Sequence, residues 1–322
     1  MDNGADSERL NLVFLAEGYT DTEQTDFEND CNDIVTAIQN EPWFGDLINA
    51  INIHRIDVES NESGADDPDC DGAGAGTTAD TFFDASFCGD GNIRRLLVVD
   101  QSKAEDALDD QVPEWHAGVV LVNTSTRGGA GGNIATSSTH GGDWVDVILH
   151  ELGHSLFGLA DEYDYWAGCG TDTDRDTAPA GEPVEPNVTA QSSIGGLKWS
   201  HLVDTLSTPV PTMENPDCTQ CDSRPNVLGD NSIIGLYEGA KYYHCGRYRP
   251  AYDCKMRSTS SSLNPFCRVC AEAVHDRVRP FFGSDPELAA SVSLLDFESI
   301  GTGATRTLDF EISNLGTVDV TD

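Results

Sequence analysis

Positive charge is scarce in this 322-residue chain: 18 lysines and arginines face 56 aspartates and glutamates, for a net charge of −38. Lysine is especially rare, with only Lys103, Lys198, Lys241 and Lys255. So acidic a surface repels phosphate backbones and anionic lipid, which argues against nucleic acid or a membrane surface as a partner. Long apolar runs are also missing, and none approaches the roughly 20 residues of a membrane span. The opening Met1-Asp2-Asn3-Gly4-Ala5-Asp6 is polar and acidic and lacks the basic and apolar regions of a secretory leader. The excess acid reads as a solvated, self-repelling surface of the secreted or salt-adapted kind, with calcium binding as the alternative use of some carboxylates.

Cysteine is not scarce. Ten residues (Cys31, Cys70, Cys88, Cys169, Cys218, Cys221, Cys245, Cys254, Cys267 and Cys270) point to an oxidising, extracellular setting, secreted or at the cell surface. Cys70 and Cys88 flank a Gly- and Asp-rich loop that a disulfide would staple. Cys218-x-x-Cys221 and Cys267-x-x-Cys270 have the spacing of a four-thiolate zinc site, but in an acidic, exported chain disulfides are the favoured reading.

The first half alternates strands and helices. Leu10–Leu15 reads as a buried strand, 22–39 as a helix, and Ile51–Val58 as a half-exposed strand. Asn61–Ala85 is an insertion without periodicity. Arg95–Val99 reads as a strand, Ser102–Val112 as a helix and Gly118–Asn123 as another strand. This alternation predicts an α/β (α+β) fold on a twisted, mostly parallel sheet. Residues 124–142 read as a flexible Gly- and Ser-rich loop, and 163–235 as a long disulfide-pinned loop region. Order returns near Gly235–Tyr243, and a helix is expected over 266–278. After Gly283-Ser284-Asp285-Pro286, Val292–Phe297 and the alternating Leu308, Phe310 and Ile312 suggest strands about the turn Gly301-Thr302-Gly303. The expected division is a catalytic domain over 1–283 and the start of a β-sandwich over 284–322.

The chemistry is carried by His150-Glu151-Leu152-Gly153-His154. Asp143 is the expected N-cap of a helix running to about Phe157, with Val145, Ile148, Leu149, Leu152 and Leu156 forming one apolar stripe. His150 and His154 then lie one turn apart on the other face, the arrangement two imidazoles need to share a zinc ion. Glu151 sits about 100° round from His150. From there it can hold the attacking water, take its proton and return it to the leaving amine. A catalytic zinc also needs a third protein ligand and an open position. Gly158 is expected to reverse the chain, bringing Asp161 back beneath the metal as that ligand, with Glu162 next in order and His244 after it. If not a ligand, Glu162 is expected to pair with a cation or a chain end.

The run H-E-L-G-H-S-L-F-G-L-A-D-E-Y over 150–163 resembles the signature of the IgA-peptidase-type metallopeptidases, a family similar to the metzincins. Relative to metzincin spacing, one residue is added between His154 and Gly158. Leu10–Tyr19, Val122-Asn123 with Gly128-Gly129, Glu238-Gly239-Ala240, Tyr248-Arg249-Pro250, Cys254-Lys255-Met256-Arg257 and Phe266–Cys270 resemble further motifs of that family. The resemblance implies a metzincin-like zincin domain that hydrolyses peptide bonds, with a protein or peptide as substrate. Within it Met256 would form an apolar floor beneath the histidines, and Tyr248 or Tyr252 would serve the oxyanion. The C-terminal stretch resembles the start of a HYDIN-type immunoglobulin-like module.

Other features carry less. Asp67-Pro68-Asp69-Cys70-Asp71-Gly72 matches the first half of a calcium loop, although Thr78 stands where Glu is needed, and Asp172, Asp174 and Asp176 form a similar run. Asn61, Asn123 and Asn187 open glycosylation sequons. His140 reads as a loop residue within reach of the cleft. The competing class is a non-catalytic, zinc-stabilised surface or adhesion protein. Glu151 argues against it, because a structural zinc site has no use for an acid there.

Overall fold

The computed structural model describes residues 1–70, 72–89, 93–166, 168–169, 174–258, 265–282, 288–290 and 312–314. Its centre is a five-stranded sheet in the order β2-β1-β3-β5-β4. The strands are β1 (Leu10–Glu17), β2 (Ile51–Ile56), β3 (Ala117–Val122), β4 (Gly129–Ala130) and β5 (Ile134–Ser138). β2, β1, β3 and β5 run parallel, and the short β4 is antiparallel to β5. This is the mostly parallel α/β sheet expected from the alternation of elements. All eight residues of β1 are buried, as in a central strand covered on both faces. That burial includes Glu17, whose carboxylate accepts from Thr81 Oγ1 and from the amides of Phe83 and Ala85. The insertion is thereby tied to the sheet, and the Cys70–Cys88 disulfide closes it.

The described helices are α1 (Gln24–Asn40), α2 (Pro42–Gly45), α3 (Gln101–Gln111), α4 (Trp144–Ser155) and α5 (Arg268–Val278). In α1, Phe27, Cys31, Ile34 and Ile38 recur at helical spacing and are buried. Each such large side chain contributes about 1.5–3 kcal/mol by leaving water. Helix α4 packs on β5, β4 and β3, with α1 beside it. Its buried stripe of Ile148, Leu149, Leu152 and Leu156 faces the core as expected.

Three expectations need correction. Arg95–Val99 is no continuous strand: Leu96 bridges Gly129 and Val98 bridges Ser86, so its backbone is divided between two neighbours and makes no ladder with either. Residues 124–142 are not simply a flexible loop, because they contain β4 and the fully buried β5. Small side chains hid β5: Ala135, Thr136, Ser137 and Ser138 look like loop but fit closely beneath α4. Asp143 does not cap α4 through its side chain. Its carboxylate oxygens instead accept from Arg127 Nε and Nη2, both at 3.2 Å.

Residues 163–235 are largely irregular and are held by disulfides Cys169–Cys221 and Cys218–Cys245. The CxxC pair Cys218/Cys221 is therefore oxidised, but each cysteine bonds elsewhere in the chain. Hairpin β6 (Tyr237–Ala240) and β7 (Tyr243–Arg249) follows. Beyond residue 283 the backbone is described only at β8 (Leu288–Ala290) and β9 (Ile312–Asn314), which pair antiparallel. The expected Val292–Phe297 strand and the Gly301–Gly303 turn lie outside the described residues, as do Leu308 and Phe310. Among the described residues no helix is long and apolar enough to cross a membrane.

Candidate active site

His150 and His154 project from α4 toward the chain returning after Gly158. His150 Nδ1 is 2.9 Å from the Lys255 carbonyl, and His154 Nδ1 is 2.7 Å from the Leu159 carbonyl. A carbonyl can only accept, so each neutral ring carries its proton on Nδ1 and presents a bare Nε2. The two Nε2 atoms are 3.1 Å apart, and Asp161 Oδ1 lies 3.0 Å from the first and 3.2 Å from the second. Three lone-pair atoms thus converge. Ligands at about 2.0–2.1 Å from a tetrahedral zinc stand about 3.3–3.4 Å from one another, so the triangle fits such an ion to within a few tenths of an ångström.

The electrostatics of the ion-free triangle agree. Burial disfavours a charged His154, but the hydrogen bond and charge of Asp161 outweigh it and raise the imidazole to about 9. Burial opposes ionisation of Asp161 too, yet the two histidines hold its carboxyl far below the usual range. The positive charge that Asp161 favours on His154 falls where a cation would go.

The turn that delivers Asp161 is local. Gly158 has φ +65°, its amide donates to the His154 carbonyl at 3.1 Å, and the Leu159 amide donates to Gly153 at 2.9 Å. Asn187 then clasps Ala160, accepting from its amide and donating to its carbonyl, both at 2.8 Å. Asn187 is fully buried, so its sequon is closed in the folded chain. The Lys241 amide donates to the Asp161 carbonyl at 3.0 Å, and the Tyr242 hydroxyl donates to Asp161 Oδ2.

Tyr242 is the residue that sequence reasoning missed. It and Lys241 occupy the tight turn between β6 and β7 with φ of 70° and 50°. The sequence offers only a hairpin tip without glycine, Ala240-Lys241-Tyr242-Tyr243; the strain at Tyr242 appears in the structure alone. The tyrosines chosen from sequence lie elsewhere: Tyr252 donates to the Arg224 carbonyl at 2.7 Å, and Tyr248 is buried in the hairpin opposite Glu238. His244 also stays apart, with its Nδ1 3.1 Å from the Cys218 carbonyl. His140 Nε2 is turned to Asp30 at 3.2 Å rather than to the cleft. Among the described residues Glu162 forms an ion pair with neither a cationic side chain nor a chain end. It is fully buried, accepts from Asn187 Nδ2 at 2.9 Å, and lies against the thiols of Cys254 and Cys270. In the suggested calcium loop, Asp67 is engaged by Arg94 at 2.7 Å and by the Ala75 amide.

Glu151 stands where the glycine strand allows it. A β-carbon at Gly129 would lie 3.4 Å from Glu151 Oε1, and one at Gly131 would lie 3.2 Å from Oε2. Burial raises the carboxyl above its usual value, opposed by His150 and His154. A cleft of about 580 Å³ opens on His150 and Glu151, walled by Gly128, Gly129, Tyr163, Tyr165 and Trp166. Tyr163 stacks on His150 with a ring separation of 6.4 Å. Beneath α4, Met256 is fully buried against Gly153, between the two histidines.

No curated protein matches the sequence. The family model of IgA peptidase M64 matches residues 1–228 and 219–278, which takes in the helix, the returning loop, the hairpin and the cysteine-rich segment. By that match the chain belongs to the IgA peptidase M64 family, a family of zinc metallopeptidases, and is a hydrolase of peptide bonds.

Proposed function

We propose that the chain is an exported zinc metalloendopeptidase in which His150, His154 and Asp161 hold the metal and Glu151 is the general base and then the general acid. The observation that carries this reading is the orientation of the two rings: both Nδ1 atoms face carbonyls, which turns the two Nε2 atoms and Asp161 Oδ1 toward one another. A zinc ion held there would supply Lewis acidity, polarising the scissile carbonyl and making water acidic enough to attack near neutral pH. The cleft beside the histidines admits the peptide, and Tyr163 stacked on His150 bounds it. Glu151, with its carboxyl raised by burial, accepts the proton of the attacking water and delivers it to the departing amine. The Leu159 and Lys255 carbonyls keep both imidazoles oriented throughout.

Three disulfides support an extracellular setting. A catalytic unit ending near residue 283, with a separate module beyond, is part of the same reading.

The test is digestion of a peptide library by the zinc-loaded protein and by Glu151→Gln. The variant is expected to keep its active-site zinc and to lose at least about 100-fold in kcat, the scale for removal of a general base. Near-wild-type hydrolysis by the variant would remove Glu151 from the mechanism. A wild-type digest without internal cleavages would remove the endopeptidase reading.

A further inference from the structure

Beside the histidine triangle lies a second cluster. Four of the ten cysteines remain outside the disulfides, and three of them, Cys254, Cys267 and Cys270, meet the carboxylate of Glu162 in the interior. One ligand atom from each of the four residues lies within 4.8 Å of every other. Cys254 Sγ is 3.1 Å from Glu162 Oε2, Cys270 Sγ is 3.3 Å from Oε1, and Cys267 Sγ is 3.6 Å from Cys270 Sγ. All four side chains are buried, with Glu162 and Cys270 fully inaccessible.

Three features set this cluster apart from ordinary core packing. First, a carboxylate is costly to bury without a partner of opposite charge. Among the described residues the firm donor to Glu162 is the neutral amide of Asn187 at 2.9 Å, and thiols are weak donors. Second, Cys267 and Cys270 stand 3.6 Å apart, well beyond a bonded S–S distance of about 2.05 Å. The chain leaves these thiols open while closing three other cysteine pairs. Third, the spacing suits a tetrahedron. With zinc–sulfur bonds of about 2.3 Å and a zinc–oxygen bond of about 2.0 Å, sulfurs stand about 3.8 Å apart and sulfur and oxygen about 3.5 Å. The three separations given above lie within about 0.4 Å of those edges, with Glu162 turning Oε2 to Cys254 and Oε1 to Cys270, and the other pairs lie within 4.8 Å. Cys267 and Cys270 also sit at the start of α5, where the helix dipole favours thiolates.

We infer that Glu162, Cys254, Cys267 and Cys270 form a second, structural zinc site, closed to substrate by its four protein ligands. Its ligands come from three segments, two of which also build the first site. Glu162 follows Asp161, and its amide donates to the Met256 carbonyl at 2.8 Å. Cys254 precedes Lys255, whose carbonyl orients His150, and Met256, which lies beneath Gly153. The second ion joins the returning loop, the turn under α4 and the head of α5 into one unit. It has no open position and no part in the chemistry.

Metal and thiol analysis of the folded, zinc-replete chain tests this independently of peptidase activity. Wild type is expected to hold two zinc ions, and the double variant His150→Ala/His154→Ala to keep one. Under chelator and denaturant without reductant, four thiols should become reactive: Cys31, Cys254, Cys267 and Cys270. Cobalt loaded into the same double variant is expected to show thiolate charge-transfer absorption, which a site of nitrogen and oxygen ligands alone lacks. Cys254→Ser with Cys267→Ser should abolish that absorption if the chain folds, and the wild-type stoichiometry and thiol count decide the matter if it does not. One zinc in wild type, none in the double variant, or only two reactive thiols from a Cys267–Cys270 disulfide would each overturn the second site.

Discussion

Met256 lies directly beneath Gly153: a β-carbon added to that glycine would meet the methionine sulfur at 2.3 Å and its methyl carbon at 3.0 Å. Gly153 lies within the helical turn from His150 to His154, so the close approach falls between the two imidazoles. Gly153→Ala should therefore destabilise the fold by about 1–3 kcal/mol, the usual cost of overpacking, despite the better helix propensity of alanine. Met256→Leu conserves volume and should cost less than about 1.5 kcal/mol. Thermal unfolding of both variants, with and without zinc, checks the relation. A Gly153→Ala protein as stable as wild type would mean that Met256 yields freely.

Asp161→Ala removes a carboxylate that touches both histidine Nε2 atoms, at 3.0 and 3.2 Å. Zinc affinity at this site, measured by chelator competition, should fall by more than the roughly 10–100-fold typical of losing an outer partner. Glu162→Ala should leave the ion at the histidines and lower overall stability. A reversal of the two results would make Glu162 the ligand.

Much of this arrangement can be read from sequence, for reasons that depend on range. The stripe of Ile148, Leu149, Leu152 and Leu156 has helical period, so it identifies α4 and the opposite placement of His150 and His154. The alternation through β3 likewise gave a mostly parallel sheet. The turn at Gly158 is local, and a positive φ was expected of it. The features missed depend on long-range contacts. Tyr242 reaches Asp161 across 81 positions, and Glu162 meets Cys254 and Cys270 across 92 and 108. Nothing near Glu162 in the chain announces buried thiols, so sequence alone points to a basic side chain or a chain end as its partner rather than to Cys254 and Cys270. β5 was missed because small residues in a tight layer look like linker, whereas a buried strand of larger side chains would have been apparent.

The ion-free protein should show a defined pH dependence. His154 is raised from 6.5 to about 9, so its pairing with Asp161 contributes stability fully below pH 6.5, lost as pH rises through about 9. Asp161 is lowered from 3.8, so its share is present above pH 3.8 and lost as pH falls toward its depressed value. Metal must displace the proton on His154, so between pH 6.5 and 9 zinc binding should release about one proton per chain at this site. Apparent affinity should rise across that window and level off above it. Calorimetry in buffers of different ionisation enthalpy measures the proton directly, and zinc uptake with no proton release at pH 7.5 would contradict the protonated triangle.

Tyr242 supplies the last and most specific expectation. Its hydroxyl donates to Asp161 Oδ2, while Oδ1 faces the two histidines. One oxygen is thus engaged by the hairpin, which fixes the plane of the carboxylate and would leave the other oxygen for a metal held at the histidines. The hairpin is itself held to the loop by the amides of Lys241 and Tyr242, which donate to the carbonyls of Asp161 and Tyr163, both at 3.0 Å. Tyr242→Phe keeps the ring, its packing beside Tyr163 and Trp166, and those backbone bonds, and deletes only the hydroxyl. The variant should fold with little loss of stability, yet its zinc affinity should fall by about 10–100-fold, as for other groups that orient a metal ligand. At saturating zinc, KM should change little if the hydroxyl acts only through Asp161. A large loss of kcat in the fully loaded variant would instead place the Tyr242 hydroxyl on the reacting substrate. Unchanged affinity together with unchanged kcat would show that the hairpin backbone alone orients Asp161.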